Sequence, residues 1–214
     1  MILKNEALKL VKKTRAWLGP ILIFILIMVA FPLTVELTSN NLSDAFYPVL
    51  FISILLVMML ATEDIFLEDY EDGTLELFFI SEKSLSQWVF LKIFMHWLFI
   101  GVPISLLGAF FNIGANNDLA SSLMLFLALL IATYIFLILF CFGNSLSLTK
   151  GSVLGTLITL PLTLPILVVL GKLNTAIIFN ISYFEFLILL FGILSIIIFA
   201  FPAIISRIIK THLE

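Results

Sequence analysis

The chain reads as an all-α polytopic membrane protein with six membrane-spanning helices. Three observations predict this. Hydrophobic residues make up 62% of the chain and charged residues only 12%, whereas a soluble domain carries about 25% charged residues. The mean hydropathy is +1.24, with apolar runs too long and too many to close into a water-soluble core. Each run exceeds the length of a strand, and none sustains the two-residue alternation of a membrane barrel, so each reads as a helix.

A span needs about 20 apolar residues. The six runs are 18–37, 45–61, 88–111, 119–142, 153–170 and 183–205. They leave no room for a soluble domain, so 1–214 reads as one transmembrane domain. Ahead of the first run, residues 1–17 mix Leu8, Leu10, Val11 and Trp17 with Lys4, Lys9, Lys12, Lys13 and Arg15. This pattern predicts an amphipathic helix lying along the membrane face, with Trp17 at the interface. A basic flank without fixed structure is the alternative. The first run reaches spanning length and lacks a small-x-small cleavage site, so it reads as a span rather than a cleaved signal.

Orientation follows from Lys and Arg. Six spans put both termini on one side, which then carries ten of the 11 basic residues, leaving Lys172 alone on the other. That bias predicts cytoplasmic termini and a cytoplasmic loop at 62–87. The loops on the opposite side, 39–44, 112–118 and 171–182, are short and form no domain. Ser182-Tyr-Phe-Glu185 matches a capping box, which makes Glu185 a helix cap rather than a ligand.

The loop at 62–87 holds an acidic island, Glu63-Asp-Ile-Phe-Leu-Glu-Asp-Tyr-Glu-Asp-Gly-Thr-Leu-Glu76, with seven of the chain's 14 acidic residues. Charges at this density cannot stay in lipid. Asp64, Glu68 and Glu71 or Asp72 recur at helical spacing. Asp72-Gly73 ends this first short helix. Thr74 then caps a second, with Glu76 in its first turn. Leu75, Leu77, Phe78 and Phe79 give that helix an apolar face, and Ser84-Leu-Ser-Gln87 starts the third span. The island therefore reads as a helix–turn–helix, its acids turned to water and its aromatic rings to the membrane or a partner. Acidic residues contribute little to topology, and the inner leaflet is itself anionic. A basic or polar protein partner explains the island better than topology does.

Within the spans, Pro161 and Pro165 each remove a backbone donor one turn apart. The pair predicts a loosened helix that serves either as a hinge or as static packing. Gly151-x-x-x-Gly155 opens the same span and permits close helix contact. Cys141 is a lone cysteine in an apolar run and reads as a small buried hydrophobe. No Walker A sequence is present, so the chain does not hydrolyse ATP by that route. No catalytic triad, carboxylate pair or metal constellation lies in the spans, and the chain reads as non-catalytic. No nucleic-acid partner is expected. A secondary transporter would show an ionisable residue near the midplane, and these spans show none.

The stretch Phe66-Leu-Glu-Asp-Tyr-Glu-Asp-Gly-Thr-Leu-Glu-Leu-Phe78, followed by Lys92-Ile-Phe-Met-His-Trp97, resembles the signature of the CcmB family. The His96-Trp97 pair, Leu160-Pro-Leu-Thr-Leu-Pro165 and the six-span plan extend the resemblance over the whole chain. Asp64 and Leu67 depart from it, standing where family members often carry basic residues. The linker Ser81-Glu-Lys-Ser84 also departs, lacking the usual prolines. The resemblance implies an ABC export permease fold and the membrane subunit of a haem-exporter-type complex in c-type cytochrome maturation. The implied partners are the ATP-binding CcmA, together with CcmC, CcmD and, functionally, the haem chaperone CcmE. A homodimer within the complex is implied too. It places the chain in the bacterial inner membrane, or in the mitochondrial inner membrane as the alternative. On this footing Glu68, Asp69, Asp72, Gly73, Thr74, Leu75 and Glu76 form the coupling loop to the ATP-binding subunit, and Lys92 anchors the third span at the inner interface. Haem enters as cargo, with no cofactor held by the chain itself. His96 and Trp97 invite a haem contact, but the plainer reading of His96 is an interface residue bonded to a backbone carbonyl. A membrane scaffold that delivers haem without transporting it is the alternative function.

Overall fold

A computed structural model describes residues 9, 11, 13–34, 39–80, 84–116, 118–149, 152–179 and 181–213. Its helices are α1 (Thr14–Thr34), α2 (Ser39–Ala61), α3 (Leu67–Glu71), α4 (Thr74–Ile80) and α5 (Leu85–His96). A π-helical turn (Trp97–Gly101) joins α5 to α6 (Val102–Asn116), and α7 (Leu119–Leu146), α8 (Ser152–Ile178) and α9 (Tyr183–Leu213) follow. Among the described residues there is no strand. Most of the predicted interfacial segment 1–17 lies outside the described residues, as do Gly151 and the linker 81–83.

Among the described residues, five segments are long and apolar enough to cross a membrane: Ala16–Thr34, Leu85–Ala115, Leu119–Leu146, Leu157–Ile177 and Tyr183–Leu213. The remaining expected span, 45–61, is a shorter apolar helix. It is the apolar part of α2, whose first residues, Ser39-Asn-Asn-Leu-Ser-Asp44, are mostly polar.

The helix α7 is the centre of the bundle. Its apolar window is 67% buried, against 28–33% for the other four long spans. It packs against α8, α9, α6 and α2. At its tightest seam Gly143 faces Gly155 of α8, and a Cβ on either would collide with the other's backbone carbonyl. Apolar side chains gain nothing by leaving lipid, so helices associate in it through close van der Waals packing, which small residues allow. The predicted close contact at Gly155 is therefore present, and its partner is Gly143. Pro161 and Pro165 lie within α8, which runs unbroken past both. Both rings are exposed, while Thr159 and Thr163 are buried and hydrogen-bond the carbonyls of Gly155 (3.2 Å) and Leu160 (2.7 Å).

Polar contacts mark the two ends of the bundle. At one end the Asn112 amide donates to Ser122 Oγ at 2.8 Å, and the Tyr183 hydroxyl donates to the Met124 carbonyl at 2.7 Å. At the other, the Asn144 amide donates to the Thr62 carbonyl. That bond fixes the end of α7 beside the start of the acidic loop.

Candidate functional site: the acidic loop and its seat

The loop is built by a helix stop, two short helices and an aromatic seat. After α2, the Thr62 hydroxyl turns back to the carbonyls of Met58 (3.2 Å) and Met59 (2.9 Å). Asp64 then takes a φ of 61°, a left-handed conformation that Asp tolerates better than most residues. This corrects the expected face: Asp64 lies in the turn, and the first short helix begins only at Leu67.

The rings also depart from the expectation that they meet lipid or a partner. Phe66 is fully buried, with its centroid 6.2 Å from that of Trp88, and Phe78 lies 5.3 Å from the same ring. Leu75 and Leu85 are buried with them. The loop is thus seated on the base of the third span by its own aromatic residues. Apolar side chains at this level leave water when they pack together, which decides their inward direction.

The acids divide into two sets. Glu63, Asp64, Glu68, Glu71, Asp72 and Glu76 are exposed. Asp69 is 2% exposed, which corrects the expectation that it faces water. Its two oxygens hold two lysines. Oδ1 accepts from Lys9 Nζ at 2.8 Å, and Oδ2 accepts from Lys92 Nζ. Lys92 is itself 5% exposed, with its ammonium 4.9 Å from the Trp88 ring centroid and 5.9 Å from that of Phe66. Lys92, expected to anchor the third span at the inner interface, thus holds the loop as well. A buried ammonium needs a counter-charge and gains from aromatic faces, and both pull it toward Asp69. Four residues after Lys9, Lys13 pairs with the exposed Glu68.

At the turn, Gly73 takes a φ of 74°, which a glycine adopts without a Cβ penalty. Asp72, not Thr74, does the capping: its Oδ1 accepts the Thr74 N–H at 2.9 Å, and Thr74 is the first residue of α4. The hydrogen bond from the Thr74 hydroxyl, its backbone N–H, and nearby Lys9 and Lys13 hold the Asp72 carboxyl below the usual range. Ser84 caps α5 as predicted, its hydroxyl accepting the Gln87 N–H at 3.3 Å.

His96 and Trp97 are adjacent in sequence but serve different surroundings. His96 Nδ1 lies 2.9 Å from the Lys92 carbonyl. A carbonyl only accepts, so that nitrogen carries the proton. Trp97 turns into the bundle, its indole N–H within 3.2 Å of both the Leu130 carbonyl and Thr133 Oγ1. Its ring packs 5.0 Å from Tyr134 and 5.8 Å from Phe94. A Cβ at Gly101 would collide with that ring, so the π turn and the glycine together make room for it. An open cleft of about 890 Å³ is bounded by Lys9 and Lys13, by Gly19, Pro20 and Ile23 of α1, by Leu60 and Ala61 of α2, and by the loop; His96 lines it and Trp97 does not. The expected His96–Trp97 pair is not one contact surface. Among the described residues, no group of three or more His, Cys, Asp or Glu side chains could hold a metal.

Sequence reasoning missed the Asp69–Lys92 bond, which joins residues 23 apart. A signal for it did exist: Lys92 stands alone among Trp88, Val89, Phe90, Leu91, Ile93 and Phe94, and a lysine buried there requires a partner.

The family model for CcmB protein matches residues 1–208. The chain is 29% identical to Heme exporter protein B of Pseudomonas aeruginosa over 78% of this chain and 76% of that one. It is 28% identical to Heme exporter protein B of Haemophilus influenzae over 85% and 83%. It is 26% identical to a ccmB-like mitochondrial protein of cytochrome c biogenesis from Marchantia polymorpha over 89% and 66%. With the family model matching nearly the whole length, this integral membrane protein belongs to the CcmB family.

Proposed function

We propose that the chain is the membrane subunit of an ABC-type haem exporter complex acting in c-type cytochrome biogenesis, and that it couples ATP hydrolysis by a separate CcmA-like subunit to the complex's work. The observation that carries this reading is the seated acidic loop. Four acids, Glu68, Glu71, Asp72 and Glu76, are exposed on two short helices, α3 and α4, and the turn between them, which rest on the base of the third span. A rigid acidic surface suits a partner with a basic docking groove, through charge complementarity. In this reading both termini and the loop are cytoplasmic, the membrane is the bacterial inner membrane, and two copies pair so that two ATP-binding subunits can close. CcmC and CcmD complete the complex. Its output is the release of haem-loaded CcmE rather than passage of haem through this chain: the chain's two histidines, His96 and His212, stand on different helices and make no ordered axial pair along one span. Stoichiometric, His96-dependent haem binding by the purified subunit would count against release and for export.

The docking reading is tested by co-purification with the cognate ATP-binding subunit in mild detergent. Glu71→Lys/Glu76→Lys is the suitable variant, because Asp72→Lys would also remove the turn bond to Thr74. The wild type is expected to retain the subunit, and the variant to lose it while inserting normally. If the wild type retains none, the docking reading fails and the scaffold reading replaces it.

A further inference from the structure

We infer that the buried Asp69–Lys92 pair is a rivet that makes the acidic loop and the base of the third span a single moving body. This rests on the docking reading above and adds to it how the loop's motion enters the membrane domain. Asp69 and Lys92 are positioning residues in this scheme; they touch no nucleotide and no cargo.

Geometry carries the inference. Asp69 lies in the middle of the island, yet it is buried while its neighbours Glu68, Glu71 and Asp72 are exposed. The partner ammonium is buried too, and it stands over Trp88, the ring on which Phe66 and Phe78 seat the loop. The ionic bond joins α3 to α5, and the aromatic seat joins Phe66, just ahead of α3, and Phe78 of α4 to the same helix α5. A pair removed from water on both sides is costly to separate, because each charge would be left without a partner. The third element is held differently. Lys9 reaches the other oxygen of Asp69 with 45% of its side chain exposed, and Lys13–Glu68 is exposed on both sides. An exposed pair is weak, and one with its lysine in water is easier to part than one buried on both sides, so the N-terminal segment can separate from the loop when the loop moves. The rivet holds the loop to the third span, and the clasp to the N-terminal segment gives way.

Two measurements on the purified complex with its ATP-binding subunit test this. In the first, spin labels are placed on Leu77→Cys of the loop and Gln87→Cys of α5, both exposed and neither among the docking acids, leaving the buried Cys141 in place. The label separation is expected to agree within about 2 Å between the nucleotide-free and ATP-trapped states; a change of about 5 Å, one helical turn, overturns the rivet. In the second, Asp69→Leu/Lys92→Met removes both charges at once, so that neither is stranded. This variant is expected to insert and to retain the ATP-binding subunit, yet to lower c-type cytochrome yield in a complemented host about tenfold or more. Wild-type yield would overturn the inference, reducing the pair to mutual neutralisation. Loss of the subunit at a normal chain level would also overturn it, by placing Asp69 in the docking contact. If the double variant does not insert, the label separation alone decides. A wild-type chain that retains no ATP-binding subunit fails the docking reading itself and takes the rivet with it, an outcome separate from all the others.

Discussion

The loop end of the bundle and the α7–α8 seam are both tightly closed, but by opposite means. At the loop end, Asp69, Lys92, Trp88 and Phe66 combine an ion pair, cation–π contacts and ring packing. At the seam, Gly143 and Gly155 offer no side chain at all, and the two backbones close on each other. The difference follows from the side chains that meet at each contact. Near water, burying rings is favourable and a desolvated charge must find its counter-charge. Between two apolar helices of a membrane bundle, side chains gain nothing by leaving lipid, and close fit is what holds the pair together. The loop end therefore responds to changes of charge, and the seam to changes of volume.

The largest effect is expected where a buried charge is stranded. Asp69→Asn alone leaves the Lys92 ammonium without its carboxylate and should destabilise the loop end by about 3–5 kcal/mol. Thermal unfolding in detergent with a reporter on Gln87 measures it. The paired Asp69→Leu/Lys92→Met variant should recover most of that loss, and a double variant no more stable than the single one would contradict the electrostatic account. Next comes volume. Gly155→Ala forces a methyl group into the Gly143 carbonyl and should cost about 1–3 kcal/mol. Gly171→Ala, in the same helix but with nothing within 4 Å of a new Cβ, should leave the unfolding midpoint unchanged. Equal effects at the two glycines would mean that the seam is not set by shape.

A smaller effect is expected at the polar bond that joins the two regions. Asn144→Leu removes the donor to the Thr62 carbonyl and should cost about 1 kcal/mol, within the range of polar contacts between membrane helices. Faster hydrogen exchange in the 62–66 turn, with the α7 interior unaffected, is the readout. The smallest effect belongs to Asp72. Its carboxyl is held below the usual range, chiefly by the Thr74 hydroxyl. The stabilisation it gives the turn is therefore complete above the ordinary carboxylate pKa of about 4 and is lost as pH falls through its lower folded-state value. Asp72→Asn should weaken this pH dependence, read as exchange protection at the start of α4. An unchanged profile would assign the protection to another acid of the island.

Sequence alone determined most of the architecture. Length and apolar character require helices in a membrane, because no other open structure satisfies its backbone there. The Asp72-Gly73 stop and the Ser84 cap were legible because their bonds join residues two or three apart. The acidic island was legible as a water-facing loop from charge density alone. What only the tertiary structure decided is which members of that island face water. Asp69 and Glu68 are neighbours of the same charge, and nothing local distinguishes them; a lysine 23 residues away and a ring at Trp88 turn one inward and leave the other out. The pairing of Gly155 with Gly143, rather than with any other small residue, is likewise a consequence of which helices lie side by side. Local bonds and solvent preference act on a residue and its near neighbours, so they are written in the sequence. Partner choice across the bundle depends on how all the helices pack at once, so it exists only in the folded chain.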